Sequence, residues 1–310
     1  MKKRSTMANA LAFAAMCLFC LRAEALEIAG SLVVDLNMSN VTGVSEGGFI
    51  GVWANQATGA DKVGNFVPVN AGVGGVFSRA AHGVPAVLFN GNADSVMWCS
   101  DALPATVVGS DSWTAEVWIC NPSLTQGIET YFSWAYRGSG NKCMEMRYGT
   151  DNGNAIEHYG NNIGWNGVPV ADVWHHVVIT RDGSGNEALY VDGAKRITKD
   201  AYTALDIPTG GNFHIGGVKN GSSTGGFDGN MFFSGYIAAI RVHSDGLTAD
   251  QVWSNYAEES IAYQNVWGGS DGLWSEGGNW LGGSVPTDAA AFSSLSTGSG
   301  SFPAGHDDDL

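Results

Sequence analysis

Basic residues are scarce in this chain of 310 residues: 15 lysines and arginines stand against 30 aspartates and glutamates, a formal net charge of −15. A surface so acidic repels phosphate backbones, which argues against a nucleic-acid partner. Charge of either sign is thin at 15%, whereas hydrophobic residues reach 44%, enough for a sizeable core. Cysteines number five, and Cys17 and Cys20 fall in an apolar N-terminal run. The other three, Cys99, Cys120 and Cys143, leave two readings open: one disulfide plus one thiol, or three buried thiols. Their spacing fits no zinc pattern. No Glu-x-Asp-x-x-Glu array occurs, and no dinucleotide fingerprint sits in a βαβ setting. Long hydrophobic runs are missing except near the N-terminus.

That N-terminal run reads as a leader. Lys2, Lys3 and Arg4 precede the apolar stretch Met7 to Leu21, and Ala23-Glu24-Ala25 is a small-x-small cleavage site. The apolar run is short for a membrane span. The expectation is a signal peptide over 1–25, a secreted or cell-surface product, and no stable membrane span after cleavage. Removing 1–25 takes away four bases and one acid, so the mature chain is more acidic still.

Glycine is abundant, at 44 residues, and much of it lies between short apolar runs, as an all-β chain requires. The run Trp174-His175-His176-Val177-Val178-Ile179-Thr180-Arg181 is rich in β-branched residues. Asp182-Gly183-Ser184-Gly185-Asn186 supplies a turn, and Glu187-Ala188-Leu189-Tyr190-Val191 reads as the partner strand. Alternation puts Trp174, His176, Val178 and Thr180 on one face, and His175, Val177, Ile179 and Arg181 on the other. Both faces carry apolar residues, which predicts a strand sealed between stacked layers of strands. His175 and His176 then point apart and cannot easily share one metal ion.

Further strands are predicted at Leu32–Leu36, Phe49–Trp53, Phe66–Val69, Tyr131–Tyr136, Cys143–Tyr148, Ala155–Tyr159, Phe213–Gly217 and Phe233–His243. A Gly- and Ser-rich loop is predicted over 217–230. Thr248-Ala249-Asp250-Gln251 is a capping box, so a helix starts there with Val252 and Tyr256 on one face.

Trp174-His175-His176-Val177 with Thr180, Asp182 and Gly183, then Leu189-Tyr190-Val191-Asp192-Gly193, resembles the laminin-G-like domain of the concanavalin A-like lectin and glucanase superfamily. Ala86 to Val96 resembles another segment of that family, Leu103-Pro104 to Trp113–Ile119 resembles its next core strand, and Leu247 to Gln251 resembles its ending. The resemblance implies an all-β, two-sheet antiparallel jelly-roll sandwich with a short C-terminal helix over 26–262, usually a non-catalytic binding module. In related domains the closing strand lies near the first. The chain departs from the pattern at Asn90, Ala238 and Ala239, where acids are usual. Residues 263–310, with Trp267, Trp274 and Trp280, resemble the opening of a bacterial surface β-repeat and read as a partial β module or a disordered tail.

The expected function is a secreted, non-catalytic binding module for carbohydrate or a surface ligand, on a polysaccharide or glycoprotein. A structural spacer in a large adhesin-like surface protein is the alternative. A glycoside hydrolase is disfavoured, because Glu116 and Glu157 look isolated and Glu145 shares its face with Arg147 but with no second carboxylate. A sugar site needs an aromatic platform with amides beside it. Trp134, Tyr136, Tyr159, Asn161, Asn162 and Trp165 offer that mix, with Trp165, between Gly164 and Asn166, expected at the surface. Calcium is the ion the loops would take, through Asn90, Asn92, Asp94 and Asp228. Asx-turn chemistry is the plainer reading of the same residues.

Overall fold

The β-branched and aromatic runs pair into two eight-stranded sheets. In this computed structural model, residues 26–200, 205–263, 266–267 and 291–292 are described. The first sheet runs β13 (Ala194–Lys199), β12 (Glu187–Val191), β11 (Trp174–Arg181), β6 (Trp113–Cys120), β16 (Ser234–His243), β4 (Ala86–Asn90) and β3 (Val76–Ser78). Strand β1 (Leu32–Asn37) also pairs with β16, Leu32 opposite His243, as the family resemblance implied. The second sheet runs β10 (Asn162–Ile163), β9 (Ile156–Glu157), β8 (Cys143–Tyr148), β7 (Glu129–Arg137), β14 (Phe213–Ile215), β5 (Met97–Trp98) and β2 (Val67–Pro68). Strand β15 (Lys219–Asn220) pairs parallel with β7; the other pairings in both sheets are antiparallel.

Between the sheets lies one large core. Val117, Ile119, Val177, Ile179 and Ile240 come from the first sheet, and Phe132, Trp134, Met146, Phe213 and Ile215 from the second. Trp113 meets Trp134 edge-on at 4.9 Å, and Phe132 stacks on Phe213 at 5.9 Å.

Strand β11 is buried along its whole length, as its two apolar faces required. What covers the second face differs from expectation. Val177 and Ile179 meet the opposite sheet, but Trp174 and Val178 lie under a helix, not under strands. This helix, α1 (Ala249–Tyr263), starts where predicted: the Gln251 amide N–H donates to Thr248 Oγ1, and Gln251 Oε1 accepts from the Thr248 amide. Val252 and Tyr256 dock it. Ala238 and Ala239 lie in the buried cluster with Trp118 and Tyr256, so an acid there would face an apolar helix seat.

Two other expectations change. Phe49 and Trp53 enter single bridges, to Val76 and Phe66, and not a strand. Polar, mostly exposed β13 gave no apolar alternation by which to find it. The leader over 1–25 lies outside the described residues. So does most of the 263–310 tail, of which only Tyr263, the last residue of α1, and the parallel pair Val266–Trp267 with Ala291–Phe292 are described.

Candidate functional site

The outer face of the second sheet gathers charge. Glu145 and Arg147 alternate onto it from β8, and the β8–β9 register sets Glu157 directly opposite Glu145. Arg147 bridges the two: Nη2 donates to Glu145 Oε2 (2.8 Å) and Nη1 to Glu157 Oε2 (2.6 Å). Arg137, at the end of β7, lies 3.3 Å from Glu145 through Nε and donates from Nη1 to Asp228 Oδ2 at 2.5 Å. The expectation that Glu157 is isolated is therefore corrected. The two glutamates sit equally far from Asp151, at the centre of the connecting turn, so counting outward from that turn would have paired them. Glu116 is not isolated either, but its partners belong to the other sheet's outer face.

Glu145 is fully buried. Burial pushes its carboxyl up, and Arg147 and Arg137 offset that only in part, so it stays above the ordinary carboxylate range. Thr130 Oγ1 and Cys143 Sγ also reach it, at 3.4 and 3.3 Å. The Gly-rich loop after β15 covers this face. Asp228 pins it to Arg137, Lys219 Nζ donates to the Ser223 carbonyl at 2.5 Å, and Phe227 meets the His214 ring edge-on at 5.4 Å. Gly221-x-Ser223-x-Gly225 has the spacing of a nucleophile elbow, which sequence reading overlooked. It lies in this loop and leads to β16, not to a helix.

At the rim stand Tyr159, Asn161 and Asn162, whereas Tyr136 packs against the core between the sheets. Tyr159 is 39% exposed, in the left-handed region at φ 59°, with the Arg137 guanidinium 5.2 Å from its ring centre. Asn161 Nδ2 donates to Asn141 Oδ1 (2.8 Å), Asn162 bonds Asn154, and Tyr136 is half-buried. Trp134 and Trp165 do not join them. Trp134 is in the central core, and Trp165, expected at the surface, is fully buried against Tyr148 at 5.4 Å. A ring with no exposed face cannot stack on a sugar, so both leave the platform. The flanking Gly164 and Asn166 misled because they mark a turn of backbone, not an outward side chain.

The side-chain oxygens of Asn92, Asp94 and Asp228 are engaged within the protein. Asn92 Oδ1 accepts the Asp94 amide at 2.9 Å, capping a short 3₁₀ turn, and Asp94 Oδ1 accepts from Asn70 Nδ2 at 3.2 Å. Asn90 is exposed, its amide donating to Ser95 Oγ at 3.3 Å. Asp228 serves Arg137 and accepts the Asn230 amide. The adjacent histidines separate as β geometry demands: His175 meets Asp192 at 2.8 Å and His176 meets Glu116 at 3.2 Å. Cys99, Cys120 and Cys143 are all buried thiols, which closes the disulfide reading among them.

Solved jelly-roll sandwiches share this architecture. The chain is 16% identical to domain 4 of AbnA, an extracellular arabinanase of Geobacillus stearothermophilus solved with arabinotriose, covering 73% of this chain and 98% of that one (TM-score 0.45). It is 16% identical to Trypanosoma rangeli sialidase solved with sialic acid, over 75% of this chain (TM-score 0.51), and spans only 34% of the sialidase. The binding domain of Paraclostridial Mosquitocidal Protein 1 matches at 16% identity, over 73% of this chain and 52% of that one (TM-score 0.46). No curated protein matches in sequence. At such identities the likeness is one of fold alone. The laminin-G-type profile described as the concanavalin A-like lectin/glucanases superfamily, however, matches residues 90–253, more than half of the chain, and the chain therefore belongs to that superfamily.

Proposed function

We propose that the chain is an exported, non-catalytic module that binds a saccharide of a polysaccharide or glycoprotein on the rim formed by Tyr159, Asn161 and Asn162. The observation that carries this reading is Tyr159: an aromatic ring held partly in water by a left-handed backbone, beside two asparagines whose amides can match hydroxyls. Arg137 and Arg147, fixed from below by Glu145 and Glu157, hold the rim in shape. A glycan array followed by affinity electrophoresis tests it. Tyr159→Ala is expected to weaken binding at least about fivefold, since one stacked ring contributes about 1–3 kcal/mol in aromatic stacking sites. Absence of binding to every glycan defeats the reading. Calcium is a second arm. A loss of affinity on chelation assigns the ion to Asn90, Asn92 and Asp94, and an unchanged affinity leaves those side chains to turn chemistry.

One observation favours a hydrolase instead. Glu145 and Glu157 face each other across two strands, and Glu145 is raised as a general acid would be. Against it, Arg147 holds both carboxylates and Glu145 has no exposed surface with which to touch a substrate. Polysaccharide turnover abolished by Glu145→Gln would establish the hydrolase; no turnover leaves the binding module.

A further inference from the structure

On the first sheet, away from the rim, three potential ligands converge: His82, Cys120 and Asp172 each offer one donor atom, and the three atoms lie within 4.8 Å of one another. We propose that this cluster is a binding site for a single zinc-class divalent cation, held by imidazole nitrogen, thiolate sulfur and carboxylate oxygen, with water at the fourth position. These are the donor types zinc prefers, and three protein ligands plus water is a recurrent zinc arrangement. In a tetrahedral zinc site with bonds of about 2.0–2.3 Å, ligand atoms stand roughly 3.5 Å apart. Movements of about 1 Å close the present cluster to that size. His82 Nε2 lies 3.4 Å from Asp172 Oδ1 and is hydrogen-bonded to the Asp172 backbone carbonyl at 2.7 Å, a bond that coordination of the cation would replace.

Each ligand is carried by an anchored segment. Cys120 ends β6 with its side chain fully buried. His82 sits in a turn whose Ala81 carbonyl accepts the Trp174 indole N–H at 3.1 Å and the Val84 amide at 3.1 Å. Asp172 is tied to β6 by its own amide, which donates to the Asn121 carbonyl at 2.8 Å, one residue beyond the thiol. His82 and Asp172 both adopt the left-handed region, at φ 52° and 60°. Neither is a glycine, so the tertiary structure holds these two backbones in a costly conformation. The sulfur forms the floor and the exposed Asp172 carboxylate the rim, which gives a cation a way in.

The cluster also explains why cysteine spacing gave no zinc signal: the ligands come from three segments far apart in sequence. A calcium ion would be refused here, because it wants six to eight oxygens and one donor is a thiol. On binding, a zinc–sulfur bond forms, the Cys120 S–H bond breaks, and its proton leaves to solvent; no redox change occurs.

The test uses the whole mature chain with zinc alone, in competition with a chromophoric chelator, and cobalt(II) as a spectroscopic substitute. One zinc per chain is expected, with release of a proton in calorimetry across buffers of different ionisation enthalpy. A sulfur-to-cobalt charge-transfer band is also expected. Cys120→Ser should abolish the band and weaken zinc more than about a hundredfold, since even outer-shell partners of metal sites contribute about 10–100-fold. Cys120 is buried, so Asp172→Asn and His82→Asn, on more accessible positions where asparagine tolerates the backbone, supply variants that keep the fold. Each should weaken zinc at least about tenfold. Absence of stoichiometric zinc, a cobalt complex without the thiolate band, or equal zinc affinity in all three variants overturns the proposal. Glycan binding serves as an independent readout and should be unchanged in the three variants.

Discussion

On the outer face of the first sheet a buried carboxylate, Glu116, meets Arg241 (3.0 Å), His176 (3.2 Å) and His243 (3.0 Å). On the outer face of the second sheet Glu145 meets Arg147 (2.8 Å) and Arg137 (3.3 Å). The two networks end differently. Arg241 continues into the helix, donating to both oxygens of Glu259, while Trp118 Nε1 donates to Glu259 Oε2 and Asn255 Nδ2 to Glu116 Oε1. Stacked rings of His176, Trp118 and Tyr263 seal that face. Arg137 instead continues into a glycine-rich loop and an exposed tyrosine. Similar charges are thus spent on docking an element on one face, and on shaping a surface that meets water on the other. The first face is largely covered by the helix, and the second meets water at Tyr159.

The sharpest way to break this contrast is to remove each arginine. Arg241→Met leaves Glu116 and Glu259 facing each other with no arginine between them, at the base of a helix where their side chains are only 1% and 10% exposed. Breaking a buried pair from one side costs about 3–5 kcal/mol, and urea denaturation at neutral pH should show a loss of that size. Arg147→Met strips Glu145 and Glu157, but Arg137 still stands beside Glu145 and the Gly160 amide still donates to Glu157 Oε1. About 1.5–3 kcal/mol is expected there, the range of hydrogen bonds to charged groups, together with weakened glycan binding. Equal losses at both sites would show that the second face is as closed as the first.

The signs of the carboxyl shifts differ too. For Glu116, burial alone would raise the carboxyl, but Arg241, then His176 and His243, overcome it and hold it well below the ordinary range. Its contribution to stability is therefore present above the unfolded value of about 4.3 and is lost as pH falls through the depressed folded value. Glu145 is raised, so its contribution is full below the unfolded value and is lost as pH rises through the folded one. Glu116→Gln should consequently destabilise at pH 7, and Glu145→Gln should be milder or even stabilising. A third group shares the second face. His214 is buried with both ring nitrogens unpartnered, and burial, then Lys219, pushes it down to about 3. The unfolded chain takes up that proton below about pH 6.5 while the folded chain refuses it, so stability falls from there toward pH 3. His214→Phe should flatten this loss, which urea curves at several pH values will measure.

Much of the first face was legible in the sequence. The capping box at Thr248–Gln251 and the Val252–Tyr256 pair follow local rules, and they place the helix. The double-faced burial of β11 also follows from its composition, though not the identity of its cover. That depends on where a segment more than fifty residues later comes to rest, which no periodicity encodes. The second face was harder to read. Glu145 with Arg147 was visible as an i, i+2 pair, but Glu157 joins only through strand register. Asp228 looks like a calcium ligand until Arg137, distant in the chain, arrives beside it. Trp165 shows the limit most plainly: its glycine and asparagine neighbours report the local turn, whereas its burial is set by Tyr148 on another strand.

The smallest predicted effect probes the loop itself. Asp228→Asn removes the charge that holds the loop to Arg137 but keeps an oxygen for the Asn230 amide. Arg137 stays beside Glu145, so no charge is orphaned, and both partners keep some solvent contact, with side chains 14% exposed. Screening then limits the loss to about 1 kcal/mol or less. That is too little to read in global unfolding with confidence, but local opening reports it directly, as roughly fivefold faster exchange for 1 kcal/mol. The amides to follow are Asn220, Gly221 and Asp228, which donate to Gly226, Arg137 and Val218 carbonyls. Amides of α1 are the control, because the helix is held by Glu116, Arg241 and Glu259 on the opposite side of the sandwich. Faster exchange confined to the loop keeps the two faces separate. Acceleration in the helix as well would mean that the networks are coupled through the core, and the division between a covered face and one that meets water would have to be abandoned.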